Sequence, residues 1–322
     1  MLKIIFMGTP DFAVPTLESL VAWPDGQVVA VVTAPDRPAG RGRQLQASAV
    51  KQAAAAHGLP VLQPTNLKSP EFQAELKSYA ADLQVVVAFR MLPEAVWNMP
   101  RLGSINIHAS LLPQYRGAAP INWALMHGDA ETGVTSFFLR HEIDTGDLIF
   151  QERVAIAPDD DFGSLYDKLK AVGASLARRS VEAIAAGTAP SVPQELRADL
   201  RAAPKLQKET GRLGFSRPAA ELVNWVRGLA PVPTAFAALP DGRTLKIFRA
   251  RALGSTDAAG ALLPTASPGH WATDSRRYLR VGTAEGWLDL LDVQLEGKKR
   301  MSVEEFLRGA GPSLKLDEPT SN

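Results

Sequence analysis

The chain has no cysteine in its 322 residues. That removes disulfides, a thiolate nucleophile and any cysteine metal site, and it fits a reducing cytoplasm, where the chain is expected to act. Long apolar runs are missing as well. No stretch reaches the roughly 20 residues that a helix needs to span a bilayer. The apolar start, MLKIIFMGTPDF, breaks at Gly8-Thr9-Pro10-Asp11. It is too short for a signal-peptide core and reads as a first strand. The five histidines include no pair at a metal-ligand spacing, so no zinc site is expected. After Gly8 the second and third glycines of the dinucleotide fingerprint are absent, which argues against a nicotinamide enzyme.

Charge of one sign is also scarce overall, with a net charge of +1, but it is unevenly spread. Residues 1–200 hold 17 Lys and Arg against 21 Asp and Glu, a balance of −4. Residues 201–322 hold 18 against 13, a balance of +5. A basic second half is what solubility allows and a polyanionic partner favours.

What is present reads as an α/β protein. An apolar run at Lys3–Met7 ends in a turn. Asp11 stands where it could cap a helix through Phe12, Val14, Leu17 and Leu20, and Val28–Thr33 is a second strand. Strand, helix, strand at this spacing is a βαβ unit and predicts a parallel sheet. Leu83–Phe89 is nearly all apolar, as a central strand buried on both faces would be. Helices are predicted over 49–57, 69–79 and 119–126. Asp159 to Asp161 should open a long helix, with their carboxylates at its positive end. Residues 186–203 carry Gly187, Pro190 and Pro193 and read as a linker. Beyond it a helix at 218–229 and short alternating strands predict a small β-barrel. Ser302-Val303-Glu304-Glu305 has the form of a capping box.

The chemistry centres on Ser104–Pro120, SINIHASLLPQYRGAAP. Residues two apart on a strand share a face, so Asn106 and His108 point the same way where a strand gives onto a loop. Ligands of open α/β sheets bind at such strand ends. An imidazole can take a proton, and an amide can donate to an oxyanion or simply cap the strand. Asp144, in Ile143-Asp144-Thr145-Gly146, can hold its own turn or reach His108 and orient its ring. Arg37, Arg41 and Arg43 stand among glycines and a proline, in a loop that is either solvated or in contact with phosphates.

His108-Ala109-Ser110-Leu111-Leu112-Pro113, Tyr115-Arg116-Gly117 and Ile143-Asp144-Thr145-Gly146 together resemble the signature of the folate-dependent formyltransferases. Arg37-Pro38-Ala39-Gly40-Arg41-Gly42 and Gly297-Lys298-Lys299-Arg300-Met301 are similar to the branch that acts on initiator methionyl-tRNA. The resemblance implies a Rossmann-like parallel-sheet catalytic domain over 1–189, a linker over 190–207 and an OB-fold-like β-barrel domain for tRNA over 208–322. It implies 10-formyltetrahydrofolate as co-substrate, the methionine amine of initiator methionyl-tRNA as acceptor, no metal, and a monomer. Asn106, His108 and Asp144 match catalytic residues. Phe89, Arg90, Ser110, Leu111, Leu112, Pro113, Ile143 and Asp144 match folate contacts. Arg37, Arg41, Arg43, Lys298, Lys299 and Arg300 match tRNA contacts. Two stretches depart from the family pattern, Phe89-Arg90-Met91 and Arg212-Leu213-Gly214-Phe215. The main alternative is a formyltransferase for a nucleotide-linked amino sugar. A formylfolate hydrolase and a non-catalytic RNA-binding module are the others.

Overall fold

A computed structural model describes residues 1–39, 44–195, 197–257, 260–265 and 267–310. Contacts divide the chain into two compact units. The first comprises Met1–Pro120, Glu131–Ala155 and Tyr166–Pro204, and the second Ile121–Ala130, Ile156–Leu165 and Lys205 onward.

The first unit is built on a seven-stranded sheet of β1 (Leu2–Gly8), β2 (Gly26–Val32), β3 (Val61–Leu62), β4 (Leu83–Val87), β5 (Ser104–His108), β6 (Glu131–Phe138) and β7 (Leu148–Ala155). The strand order is β7-β6-β5-β4-β1-β2-β3. β1 to β5 run parallel, whereas β6 is antiparallel to both β5 and β7. The polar turn at 140–147 explains the change of direction: β6 and β7 form a hairpin, and a hairpin can only be antiparallel. β4 is the middle strand of the seven, and all five of its residues are buried. That is the environment its apolar run requires. Helices α1 (Val14–Val21), α2 (Ala49–Ala56), α3 (Pro70–Ser78) and α4 (Glu94–Trp97) fill the crossovers. Ser48 and Ser69 cap α2 and α3 with their hydroxyl oxygens.

The expected cap at Asp11 is not made. Asp11 opens a short 3-10 turn, Asp11–Ala13, before α1. Its carboxylate instead accepts the Tyr166 hydroxyl at 2.7 Å and Lys170 Nζ at 3.3 Å. Burial pushes its pKa up, but these two donors outweigh burial and hold it below the ordinary value. A partner 155 residues away is invisible to a local capping rule.

The helix α5 (Pro120–Met126) and the long helix α6 (Phe162–Ala185) complete the set up to the second unit. The Asp161 carboxylate accepts the Ser164 N–H at 2.9 Å, and Ser164 Oγ accepts the Asp161 N–H at 3.1 Å, so the acidic run does cap α6. In the second unit, α7 (Ala219–Leu229) and α8 (Val303–Ala310) pack on an antiparallel sheet. Its strands are β8 (Ala235–Ala238), β9 (Thr244–Leu253), β10 (Trp271–Thr273), β11 (Leu279–Gly282), β12 (Trp287–Leu295) and β13 (Met301–Ser302). The order is β8-β9-β12-β11-β10, with β13 beside β12, so among the described residues the barrel is a half-barrel, its β8 edge bridged by Arg212. Ser302 and Glu305 exchange backbone N–H groups in a capping box for α8.

Two short pieces of the segment expected to be a linker are paired, the first being Val192, which bridges Leu148. Ala202–Ala203 pairs in parallel with Arg116–Gly117, and the chain through Pro204 belongs to the first unit. Its prolines break helices and central strands, but they do not prevent pairing at an edge. No helix among the described residues is long and apolar enough to cross a membrane.

Candidate active site

The alternation in β5 sets the site. Ile107 faces α6, where its methyl carbon lies close to Gly173, and Asn106 and His108 face the other way. His108 is 7 % exposed, and Asn106 is half-buried. The His108 Nε2 lies 2.8 Å from the Tyr115 carbonyl oxygen. A carbonyl only accepts, so Nε2 carries the hydrogen and the lone pair of a neutral ring is on Nδ1. His108 Nδ1 lies 3.7 Å from Asp144 Oδ2. That is an ion-pair distance, longer than a hydrogen bond. The firm hydrogen bond to the same oxygen comes from the Gly117 N–H, at 2.9 Å. Asp144 therefore reaches His108 across 36 residues of sequence, and it is anchored by the backbone of the motif that follows the histidine.

Two backbone requirements explain the residue types here. Gly117 has φ +123°, and a Cβ on it would lie 2.5 Å from the Ala203 carbonyl oxygen, so no side chain fits. Asp144 has φ +55°, a left-handed conformation that aspartate tolerates better than most residues.

The loop at Ser110–Pro113 is held from below. Thr135 Oγ1 accepts the Leu112 N–H at 3.1 Å and donates to the Ser110 carbonyl at 2.6 Å. Gln151 Nε2 donates to the Leu112 carbonyl at 2.8 Å and to Thr135 Oγ1 at 3.0 Å. Ser110 and Leu112 are buried, and the Ser110 hydroxyl donates to the Gln114 carbonyl at 2.6 Å. Leu111 and Pro113 are half-buried and present the loop's apolar edge. Phe89 packs against the core beside β4, whereas Met91 and Ile143 are exposed. Arg90 lies 5.6 Å from the Phe89 ring and donates to the carbonyls of Pro64 and Thr65. Burial, and secondly Arg37, push the Arg90 pKa below its ordinary value. No group of three or more metal-ligating side chains occurs among the described residues.

The basic residues fall in both units. Arg37 is exposed on the short strand Arg37–Ala39, and Arg41 and Arg43 lie outside the described residues. In the second unit, Lys298, Lys299 and Arg300 are exposed on the turn between β12 and β13. Arg300 is held by Asp292 at 3.0 Å and lies 4.6 Å from the Phe248 ring. Lys208, Arg212 and Lys246 line a cleft beside Phe236 in the same unit. The departure at Arg212–Phe215 is absorbed there: Leu213 is buried and donates its N–H to the Phe236 carbonyl at 2.9 Å, and Phe215 packs edge-on to Trp271.

Sequence reading missed Thr135, Gln151 and Gln194. Each acts on backbone carbonyls or on a hydroxyl, and such contacts leave no spacing pattern. Gln194 sits in the proline-bearing stretch that reads as a linker.

The family model described as formyl transferase matches residues 2–181, and the one described as formyl transferase, C-terminal domain, matches residues 205–311. A methionyl-tRNA formyltransferase of Bacteroides fragilis is 50% identical over 317 residues, 96% of this chain and 95% of the relative. One of Flavobacterium johnsoniae is 44% identical over 313 residues, 96% of both. Among solved structures, an N-formyltransferase from Helicobacter canadensis, in complex with folinic acid and dTDP-3-aminofucose, superposes with a TM-score of 0.66 at 17% identity. That match covers 94% of this chain and 100% of the other, and at such identity it speaks for the fold.

Proposed function

This chain belongs to the formyl transferase family, and from that premise we propose that it transfers a formyl group from 10-formyltetrahydrofolate to the free amine of the methionine on initiator methionyl-tRNA. The observation that supports the reading most is the 50% identity, over 96% of this chain, to a methionyl-tRNA formyltransferase; Asp144 at 3.7 Å from His108, on a strand whose alternation gives Asn106 the same face, agrees with it.

The folate supplies a formyl group already activated on nitrogen. His108 accepts a proton from the attacking amine through Nδ1, because Nε2 is committed to the Tyr115 carbonyl. Asp144, 3.7 Å from that nitrogen, balances the charge the ring gains. The Asn106 amide donates to the formyl oxygen as it becomes an oxyanion; its collapse breaks the formyl C–N bond to the folate, and the proton held on His108 passes to the leaving folate nitrogen. A positioned acid or base is worth about 10²–10⁴-fold, and one oxyanion donor about 10²–10³-fold. Phe89, Arg90, Ile143 and the Ser110–Pro113 loop hold the folate. Leu111 and Pro113 contact it, and Ser110 and Leu112 keep the loop in shape.

The first unit, through Pro204, carries the chemistry and the residues from Lys205 onward hold tRNA, in a monomeric enzyme of the cytoplasm. Arg37, Arg41, Arg43, Lys298, Lys299 and Arg300 contact the RNA through phosphates, which favours a polyanion over a neutral acceptor. Arg41→Ala is expected to raise the KM for tRNA and leave that for folate unchanged.

The decisive experiment offers 10-formyltetrahydrofolate with charged initiator tRNA, charged elongator methionyl-tRNA or a dTDP-linked amino sugar. Formyl transfer to initiator tRNA is expected. Transfer to the sugar alone, or formate release without any amine, would overturn the reading.

A further inference from the structure

We propose that Gln194 is a positioning residue for Asp144, and that Gln194 together with Arg201–Ala203 is a working part of the catalytic unit. The inference rests on the formyl-transfer reading for its kinetic arm only.

The Gln194 side chain spends all of its hydrogen-bonding capacity around the catalytic aspartate. Nε2 donates to the Asp144 carbonyl at 2.9 Å and to the Gly146 carbonyl at 2.8 Å. Oε1 accepts Arg116 Nη2 at 2.7 Å and Nε at 3.1 Å. Carbonyls only accept and a guanidinium only donates, so the orientation of the amide is fixed by chemistry. Asp144 needs such support. Its φ of +55° is sparsely populated for a side-chain-bearing residue and persists only where surroundings hold it. Gln194 holds its main chain, and the Gly117 N–H holds its carboxylate.

The same segment fixes the other partner of His108. The Tyr115 N–H donates to the Arg201 carbonyl at 2.7 Å, and the Tyr115 carbonyl in turn receives His108 Nε2. The N–H groups of Ala118 and Ala119 both donate to the Ala203 carbonyl. One strap of chain thus sets the two groups that flank the imidazole. A lesser role is conceivable on chemical grounds, with Gln194 serving merely as a neutral partner for Arg116. Glutamate distinguishes the two, because a carboxylate would pair with Arg116 more strongly but cannot donate to the carbonyls of Asp144 and Gly146.

The test uses the full chain with Gln194→Ala, Gln194→Glu, Asp144→Ala and the Asp144→Ala/Gln194→Ala double variant. Steady-state formylation should show kcat lowered roughly tenfold in both single Gln194 variants, the loss expected when two hydrogen bonds to one loop are removed, with KM for both substrates near wild type. In the Asp144→Ala background, Gln194→Ala should cost nothing further, since coupled residues are not additive. Wild-type kcat in Gln194→Glu, or full additivity with Asp144→Ala, would overturn the proposal. Hydrogen exchange supplies a reading independent of activity. The Gly117 amide, bonded to the Asp144 carboxylate, should exchange faster in both Gln194 variants while Tm holds. Unchanged protection would overturn the proposal even if turnover fell. An inactive wild type would count against the function reading, and the exchange arm would still judge Gln194.

Discussion

The two units handle charge in opposite ways. Around His108 the first unit uses mainly neutral dipoles: the Tyr115 carbonyl, the Gly117 N–H, the Thr135 hydroxyl and the Gln151 and Gln194 amides hold the ring, Asp144 and the loop, with Arg116 behind Gln194 and one carboxylate 3.7 Å from the ring. In the second unit, carboxylates are shared between guanidiniums. Asp289, 1 % exposed, takes Arg280 at 3.0 Å and Arg251 at 2.7 Å. Asp292 takes Arg249 at 3.4 Å and Arg300 at 3.0 Å. Neutral hydrogen bonds fix direction, which proton transfer needs. Two cations per carboxylate leave a positive surplus, which a polyanion needs. The first arrangement should fail in rate without failing in stability, and the second the reverse.

The largest test of that contrast is at His108. His108→Ala should lower kcat by about 10²–10⁴-fold and leave Tm near wild type, because the ring contributes little apolar burial. Near-normal turnover would remove the histidine from the chemistry. The mirror test is Asp289→Ala. Removing the shared carboxylate leaves Arg280 buried with, among the described residues, only the Tyr278 ring, 4.1 Å away, and breaking such a pair costs about 3–5 kcal/mol. Denaturant unfolding should show this, while kcat at saturating tRNA per folded molecule stays unchanged. An unaffected unfolding midpoint would show that the buried pair adds nothing to the second unit.

Gly117 tests where the two behaviours meet. Alanine there must hold φ near +123° and push its Cβ against the Ala203 carbonyl oxygen at 2.5 Å. Backbone strain of this kind costs about 1–3 kcal/mol. Because the Gly117 N–H anchors Asp144, Gly117→Ala should lose turnover as well as stability. Loss of stability alone would separate the strap of chain at 202–203 from the site.

These cases also show what a sequence can and cannot carry. The face shared by Asn106 and His108 follows from strand periodicity, and the β4 run follows from burial on both sides. The acidic start of α6 at 159–161 and the capping box at Ser302–Glu305 are local and legible, whereas the return bond from the Asp161 N–H to Ser164 is not. The proximity of Asp144 to His108 is set by a hairpin turn and a glycine N–H, so it came through family resemblance and not through spacing. Asp11 and the 190–204 segment went the other way. Local rules gave a cap and a linker, and tertiary partners, Tyr166 for one and Arg116–Gly117 for the other, overrode them. Gln194 had no signal at all, because an amide that serves carbonyls has no partner residue type to be recognised by.

The smallest effect is expected at the turn between β12 and β13. Lys298 and Lys299 are exposed, with no side-chain partner among the described residues, whereas Arg300 is tied to Asp292 and Phe248. A free lysine against a phosphate acts through counterion release, so each one lost should lower tRNA affinity for all sequences alike and reduce the slope of log K against log salt by about 0.7–0.9. Lys298→Ala and Lys299→Ala should therefore raise the KM for tRNA modestly and leave kcat and the KM for folate where they were. Arg300→Ala should differ from both, because it leaves Asp292 with Arg249 alone, and a less neutralised carboxylate beside the RNA opposes binding. A titration of tRNA binding against salt separates these outcomes. Equal slopes for wild type and all three variants would take this turn out of the RNA surface and leave the cleft at Lys208, Arg212 and Lys246 to account for the affinity of the second unit.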